Sequence, residues 1–193
     1  MNPRIPELIR ESIAVKQAYL GDENNLLLLE QVADKTIEVF RRDGKVLFCG
    51  NGGSAADAQH IAAELSGRFY LDRPPLYAEA LHVNTSFLTA MANDYGYEEA
   101  FARMVDAAGR QGDMLYALST SGNSPSILRA AEAARARGMI VVGMTGQGGG
   151  KLRAFCDYCL EAPSRDTPRI QELHITIGHL ICELVEKAIF GNG

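Results

Sequence analysis

The chain has 193 residues, 47% of them hydrophobic, enough to bury one substantial core; with no linker or low-complexity tract, a single domain over 1–193 is expected. Its net charge of -5 and pI near 5.4, with Lys and Arg scattered along the chain, argue against a nucleic-acid or acidic-membrane surface. No uncharged apolar stretch approaches the roughly 20 residues of a membrane span, and residues 1–12 mix charge and proline without an apolar core, so a cytoplasmic location is expected.

Apolar residues at helical spacing predict two opening helices, 6–20 and 25–42. Their apolar faces must pack on the core or on another subunit, so about the first 43 residues are expected to serve oligomerisation. Residues 45–49 form the first predicted strand and run into Gly50-Asn51-Gly52-Gly53-Ser54-Ala55. That segment matches the G-x-G-x-x-A variant of the dinucleotide fingerprint. A nicotinamide or flavin site is nonetheless not expected. The fingerprint needs an acidic residue closing the second strand about 20 residues on, and Asp72 falls before that strand, beside Pro74 and Pro75. Ser54 with Asp57 reads instead as a capping pair. The glycines would let a sugar approach the backbone while Asn51 and Ser54 bond its hydroxyls, although a tight turn without a ligand accounts for the same residues.

The helix predicted near 54–67 carries His60 and Glu64, four apart and so on one face. Further strands are predicted at 77–81, 114–118, 139–144 and 157–160, with helices near 85–93, 98–107 and 125–137 and a last one from 168 to about 190. Strand, Gly/Ser-rich turn and helix in repeated order is the signature of an α/β fold, a parallel sheet covered by helices. The last helix carries Gln171, His174 and His179. An imidazole and a carboxylate converging on a sugar carbonyl would suit proton transfer between adjacent carbons, but a lone histidine such as His179, between Ile177, Leu180 and Ile181, is more often a core residue.

Ser119-Thr120-Ser121-Gly122-Asn123-Ser124 joins an apolar run to a helix-like run. Ser124 stands where an N-cap belongs and Pro125 where a first helical residue belongs, so free N–H groups and the positive end of the helix dipole face the loop. Four hydroxyls surround that spot, and Gly122 lets the backbone turn with positive φ close to an anion. Hydroxyls without a Walker lysine suggest a phosphosugar rather than a nucleoside triphosphate. An ordinary Ser/Thr-capped corner is the other reading. Of Cys49, Cys156, Cys159 and Cys182, two make a C-x-x-C pair. A zinc ribbon needs a second such pair, and 155–160 reads as a strand, where positions three apart face opposite ways. Buried, reduced thiols are therefore expected.

Nearly the whole chain resembles the sugar isomerase (SIS) domain family, and within it the phosphoheptose isomerases. The likeness is carried by Cys49 to Ala55 with Asp57, His60 and Glu64, by Gly67-Arg68-Phe69, by Ala92-Asn93-Asp94-Tyr95-Gly96, by Ser119 to Ser124, and by Arg169-Ile170-Gln171-Glu172 with His174 and His179. The resemblance implies a five-stranded parallel sheet of flavodoxin-like or Rossmann-like kind with an N-terminal helical extension. It implies an aldose–ketose isomerase that converts sedoheptulose 7-phosphate to D-glycero-D-manno-heptose 7-phosphate through an enediol, the first step toward ADP- or GDP-heptose for lipopolysaccharide or another surface polymer. Glu64 would be the base and His179 the acid partner. Ser119, Thr120, Ser121 and Ser124 would hold the 7-phosphate, with Asn51, Gly52, Gly53, Ser54, Glu64, Arg68, Asn93, Asp94 and Gln171 at the sugar. A homotetramer is implied, as is zinc held by His60, Glu64, Gln171 and His179, but no nucleotide or redox cofactor. On an ideal helix Gln171 and His179 lie roughly 12 Å apart, so a shared ion asks for extended side chains or a bent helix. Some relatives carry a carboxylate at the position of Pro168, where this chain offers only Asp166 nearby. The family also includes the DnaA initiator-associating protein, a tetrameric binding module, and a phosphosugar sensor without turnover is a further alternative. The combined set of Glu64, Ser121 and His179 favours an enzyme.

Overall fold

Strands buried on both faces of a parallel sheet read as unbroken apolar runs rather than as alternating ones, and the central strands here do so. In the computed structural model, which describes residues 2–191, Val46–Cys49 (β1) and Met114–Ser119 (β3) are buried throughout and Ile140–Thr145 (β4) nearly so. Ala78–Ala80 (β2) and Tyr158–Glu161 (β5) are the edges. All four pairings are parallel and the order is β2-β1-β3-β4-β5, so the direction of winding reverses between β1 and β3. Open α/β sheets bind ligands outside the carboxyl ends of the strands at that reversal.

The helices are Arg4–Leu20 (α1), Glu23–Arg41 (α2), Gly53–Ser66 (α3), Thr85–Tyr95 (α4), Ala100–Ala108 (α5), Pro125–Ala136 (α6) and Thr167–Phe190 (α7). They cover both faces of the sheet. On one side Phe48, Tyr116, Val142 and Met144 pack against Ile37, Phe40, Ile61, Ile177 and Ile181 of α2, α3 and α7. On the other, Leu47, Leu115 and Val141 pack against Phe101, Val105, Ile127 and Ala134 of α5 and α6. Two hydroxyls deep in the first layer satisfy each other: Tyr116 and Thr36 share a 2.7 Å hydrogen bond. Asp22 caps α2 by accepting from the Asn24 amide at 3.0 Å, and Asn84 caps α4 by accepting from Phe87 at 3.0 Å.

The predicted five parallel strands and seven helices are all present, with ends within a few residues of those expected. Local expectations are corrected at the start of α3 and at the C-x-x-C pair. The N-cap of α3 is Gly52, with no side-chain cap, so Ser54 and Asp57 are not a capping pair; Ser54 is buried and Asp57 Oδ2 is buried without a partner. Ser124 holds the N-cap position of α6 as expected, and its hydroxyl makes no capping bond. Cys156 and Cys159 do not face opposite ways. The backbone bends at Asp157, whose carboxylate accepts from the Val141 amide at 2.8 Å, so Cys156 precedes β5 and both sulfurs lie against Gly143. Cys49 and Cys182 are buried, whereas Cys156 and Cys159 are half-buried.

Candidate active site

Helices α3 and α7 touch where α7 offers no side chain. A methyl on Gly178 would sit 2.6 Å from Ile61 Cγ1, so only glycine admits this approach. The neighbouring residues are thereby brought face to face. His60 Nε2 lies 2.9 Å from His179 Nε2, and Glu64 Oε1 lies 3.3 Å from His60 Nε2. One ligand atom from each of His60, Glu64 and His179 falls within 4.8 Å of the other two. His60 is exposed, while Glu64 and His179 are half-buried. The Phe69 ring stands 5.8 Å from that of His179 and closes one side.

The end of α3 that carries Glu64 is held by a buried ion pair. Glu186, on α7, accepts from the amides of Phe69, Tyr70 and Leu71 at 2.9, 2.6 and 2.9 Å and from Arg73 Nε at 3.0 Å. Arg73 in turn donates to the carbonyls of Glu64 and Leu65 at 3.0 and 2.8 Å, satisfying acceptors that the helix end leaves free. Burial alone would raise the Glu186 carboxyl, but the three amides and the guanidinium together hold it below the ordinary carboxylate range. Burial pushes the Asp57 carboxyl up to about 6 against the opposing pull of His60.

The glycine corner after β1 stands beside this cluster. Gly52 turns with φ 55, and a methyl on Gly53 would sit 2.6 Å from Gln171 Nε2, so the Gln171 amide rests on the corner. Asn51 is fixed from both ends: its Oδ1 accepts from Tyr97 Oη at 2.7 Å and its Nδ2 donates to Ser126 Oγ at 3.0 Å. Asn51, Tyr97, Ser124 and Ser126 line a cavity of about 410 Å³ between the two corners. In the serine turn Gly122 has φ 64, and a methyl there would fall on the Gly149 carbonyl, 2.6 Å from its carbon. Ser119 Oγ donates to Ser124 Oγ at 3.3 Å and Ser121 Oγ accepts from the Asn123 amide at 3.2 Å, while Thr120 is half-buried.

The structure thus brings His60, Glu64 and His179 together and sets Gln171 against Gly53. Arg68 is exposed beyond the end of α3, and Asn93 and Asp94 are exposed at the end of α4, bonded to each other at 2.8 Å. Tyr97, Ser126 and Phe69 were not singled out as site residues by sequence reasoning. Tyr97 follows the Asn93–Gly96 run, but only the fold shows that its hydroxyl reaches Asn51.

The SIS domain family model matches residues 15–146. A phosphoheptose isomerase from Aneurinibacillus thermoaerophilus is 57% identical over 192 residues, covering 100% of this chain and 97% of the relative. One from Burkholderia pseudomallei is 54% identical over 97% of this chain and 95% of its own length. This chain belongs to the phosphoheptose isomerase family of SIS domain proteins. Solved structures agree: the phosphoheptose isomerase of Neisseria gonorrhoeae superposes with a TM-score of 0.89 at 42% identity, covering 95% of this chain and 97% of that one. That of Francisella tularensis gives 0.91 at 35% identity over the same shares. Family membership accounts for a parallel sheet whose two corners at the reversal, glycine-rich and serine-rich, face one space.

Proposed function

We propose that this phosphoheptose isomerase family member interconverts sedoheptulose 7-phosphate and D-glycero-D-manno-heptose 7-phosphate. The observation that carries the reading is the convergence of Glu64 and His179 from separate helices, beside two corners suited to a phosphosugar. The serine turn, through Ser119, Thr120, Ser121 and Ser124 and the α6 dipole, binds the 7-phosphate and so holds the distant reacting carbons in place. Asn51, Gly52, Gly53, Ser54, Arg68, Asn93, Asp94 and Gln171 contact the sugar. Glu64 takes a proton from C1 while His179 gives one to the C2 oxygen, which leaves an enediol. His179 then removes the O1 proton as Glu64 returns its proton to C2, and the aldose results without net gain or loss.

Two imidazoles and a carboxylate with ligand atoms this close are a donor set suited to zinc. His60, Glu64 and His179, with Gln171 as fourth donor, would hold the ion, which when bound supplies Lewis-acid polarisation of a sugar oxygen. We place the product on the route to nucleotide-linked heptoses of a surface polymer, and the protein in the cytoplasm; among the described residues no helix is long and apolar enough to cross a membrane. One SIS domain spans the chain, and its N-terminal helices assemble a homotetramer. Ile5, Leu8, Ile9 and Ile13 of α1, Leu26 and Leu27 of α2, and Leu180 and Leu184 of α7 are exposed apolar surface for that purpose.

The test is to incubate the purified protein with sedoheptulose 7-phosphate and follow the aldose by NMR, with and without chelator. Glu64→Gln should abolish conversion and leave phosphosugar binding intact. Wild-type protein that binds the sugar but never isomerises it would make the protein a sensor and end the reading.

A further inference from the structure

The C-x-x-C pair is not among the residues placed at the sugar, but it stands next to the serine turn: Thr145, beside Cys159, pairs with Ser119, and Leu152, beside Cys156, donates its amide to the Gly122 carbonyl at 2.9 Å. Gly143, in the middle of β4, leaves room that two sulfurs fill: a methyl there would sit 2.5 Å from Cys156 Sγ and 3.5 Å from Cys159 Sγ. Both residues are free cysteines and half-buried. Their partners differ. Cys156 Sγ donates to the Leu152 carbonyl at 3.2 Å, at the end of the 3-10 segment Gly150–Phe155, whereas Cys159 Sγ lies 3.7 Å from Thr145 Oγ1.

We propose that Cys156 and Cys159 form a reversible dithiol–disulfide site whose oxidant is a low-molecular-weight disulfide. Cys159 is the attacking thiol and Cys156 the resolving one. Cys156 keeps its proton on the Leu152 carbonyl, whereas the Thr145 hydroxyl beside Cys159 can donate to a thiolate there; in keeping with this, contact with Cys156 lowers Cys159 and the same contact raises Cys156. Cys159 as thiolate attacks one sulfur of the external disulfide; that S–S bond breaks, and the departing thiolate takes up the proton that Cys159 lost. Cys156 then gives up its proton and attacks Cys159 Sγ, which forms the protein disulfide and releases the second small thiol. Two protein thiols are oxidised and one external disulfide is reduced to two thiols, so the electrons balance. The remaining cysteines are built-in controls, since burial pushes Cys49 and Cys182 each up to about 12.

The experiment exposes the native, full-length, reduced protein to oxidised glutathione, alkylates the remaining thiols, and reads intact mass and peptide map. The expected product takes up two alkyl groups fewer than the reduced protein, carries a Cys156–Cys159 link, and takes up the full number when dithiothreitol precedes alkylation. Cys156→Ser should accumulate one glutathione on Cys159, and Cys159→Ser should slow thiol loss by about tenfold or more. The proposal is overturned by wild-type protein that keeps all its thiols under excess oxidised glutathione, by stable glutathione adducts on both cysteines, by a link between chains, or by Cys156→Ser without an adduct.

Discussion

Replacing Glu186 by Gln tests whether the buried ion pair holds the carboxylate-bearing end of α3 in place. Both side chains of the pair are 2% exposed, and Glu186 accepts from three amides and from Arg73 Nε at 3.0 Å. Glutamine keeps one acceptor oxygen but turns an NH₂ toward amides that also donate, and it leaves the Arg73 charge buried without a counter-ion. Removing one partner of a buried pair costs about 3–5 kcal/mol; with one oxygen retained, about 3 kcal/mol is expected here. Urea unfolding at one fixed protomer concentration measures it, since assembly contributes to apparent stability. The double variant Glu186→Gln/Arg73→Met should lose less than the two single losses together, because neither charge is then left alone. The pH dependence has a definite sign. A carboxyl held below its unfolded value contributes stability that is present above the ordinary carboxylate range and is lost as pH falls through the lowered folded value, so the variant should show a shallower acid limb. A loss below about 1 kcal/mol, the range of exposed ion pairs, with additive double-variant energies, would refute the reasoning.

Gly122→Ala should cost about 2 kcal/mol or more, from positive φ and a methyl driven onto the Gly149 carbonyl, and should weaken inorganic phosphate binding by calorimetry; unchanged stability would mean the turn is not so constrained. His174 is fully buried, with Nε2 3.0 Å from the Thr145 carbonyl, and burial lowers it to about 4 from an ordinary 6.5. The unfolded chain therefore binds the extra proton between those values, so stability should fall as pH drops from 6.5 toward 4, by up to about 1.4 kcal/mol per pH unit, and His174→Gln should flatten that slope in urea titrations. Zinc titrated into metal-free protein should fill a site that His60→Ala and His179→Ala each abolish in calorimetry, and an undiminished site in either variant would remove those ligands from the proposal. Sedimentation equilibrium should return four chains per particle, and a monomer would leave the exposed leucines and isoleucines of α1 unexplained.

What was legible in the chain followed from local chemistry. The central strands show as apolar runs because both their faces are buried, and the two corners show because positive-φ glycines and Ser/Thr turns leave a mark within six residues. His60 and Glu64 announce a shared face by spacing alone. The approach of His179 does not, because it depends on α7 lying directly on α3 through Gly178 and Ile61, a contact between residues far apart in the chain. Glu186 was silent for the same reason: on a helix that also carries Glu183 and Lys187, nothing local distinguishes the carboxylate that turns inward.

The cysteine pair shows how a sound rule fails when its premise does. Opposite facing at a separation of three holds only while the strand is continuous. Asp157 interrupts it by taking the Val141 amide onto its carboxylate, while its own amide donates to the Val141 carbonyl at 2.9 Å, so regular pairing begins only at Tyr158. The side chain that starts β5 thus also sets the direction of Cys156, and Gly143 opposite supplies the space. Had residue 143 carried even a methyl, the two thiols could not share that face.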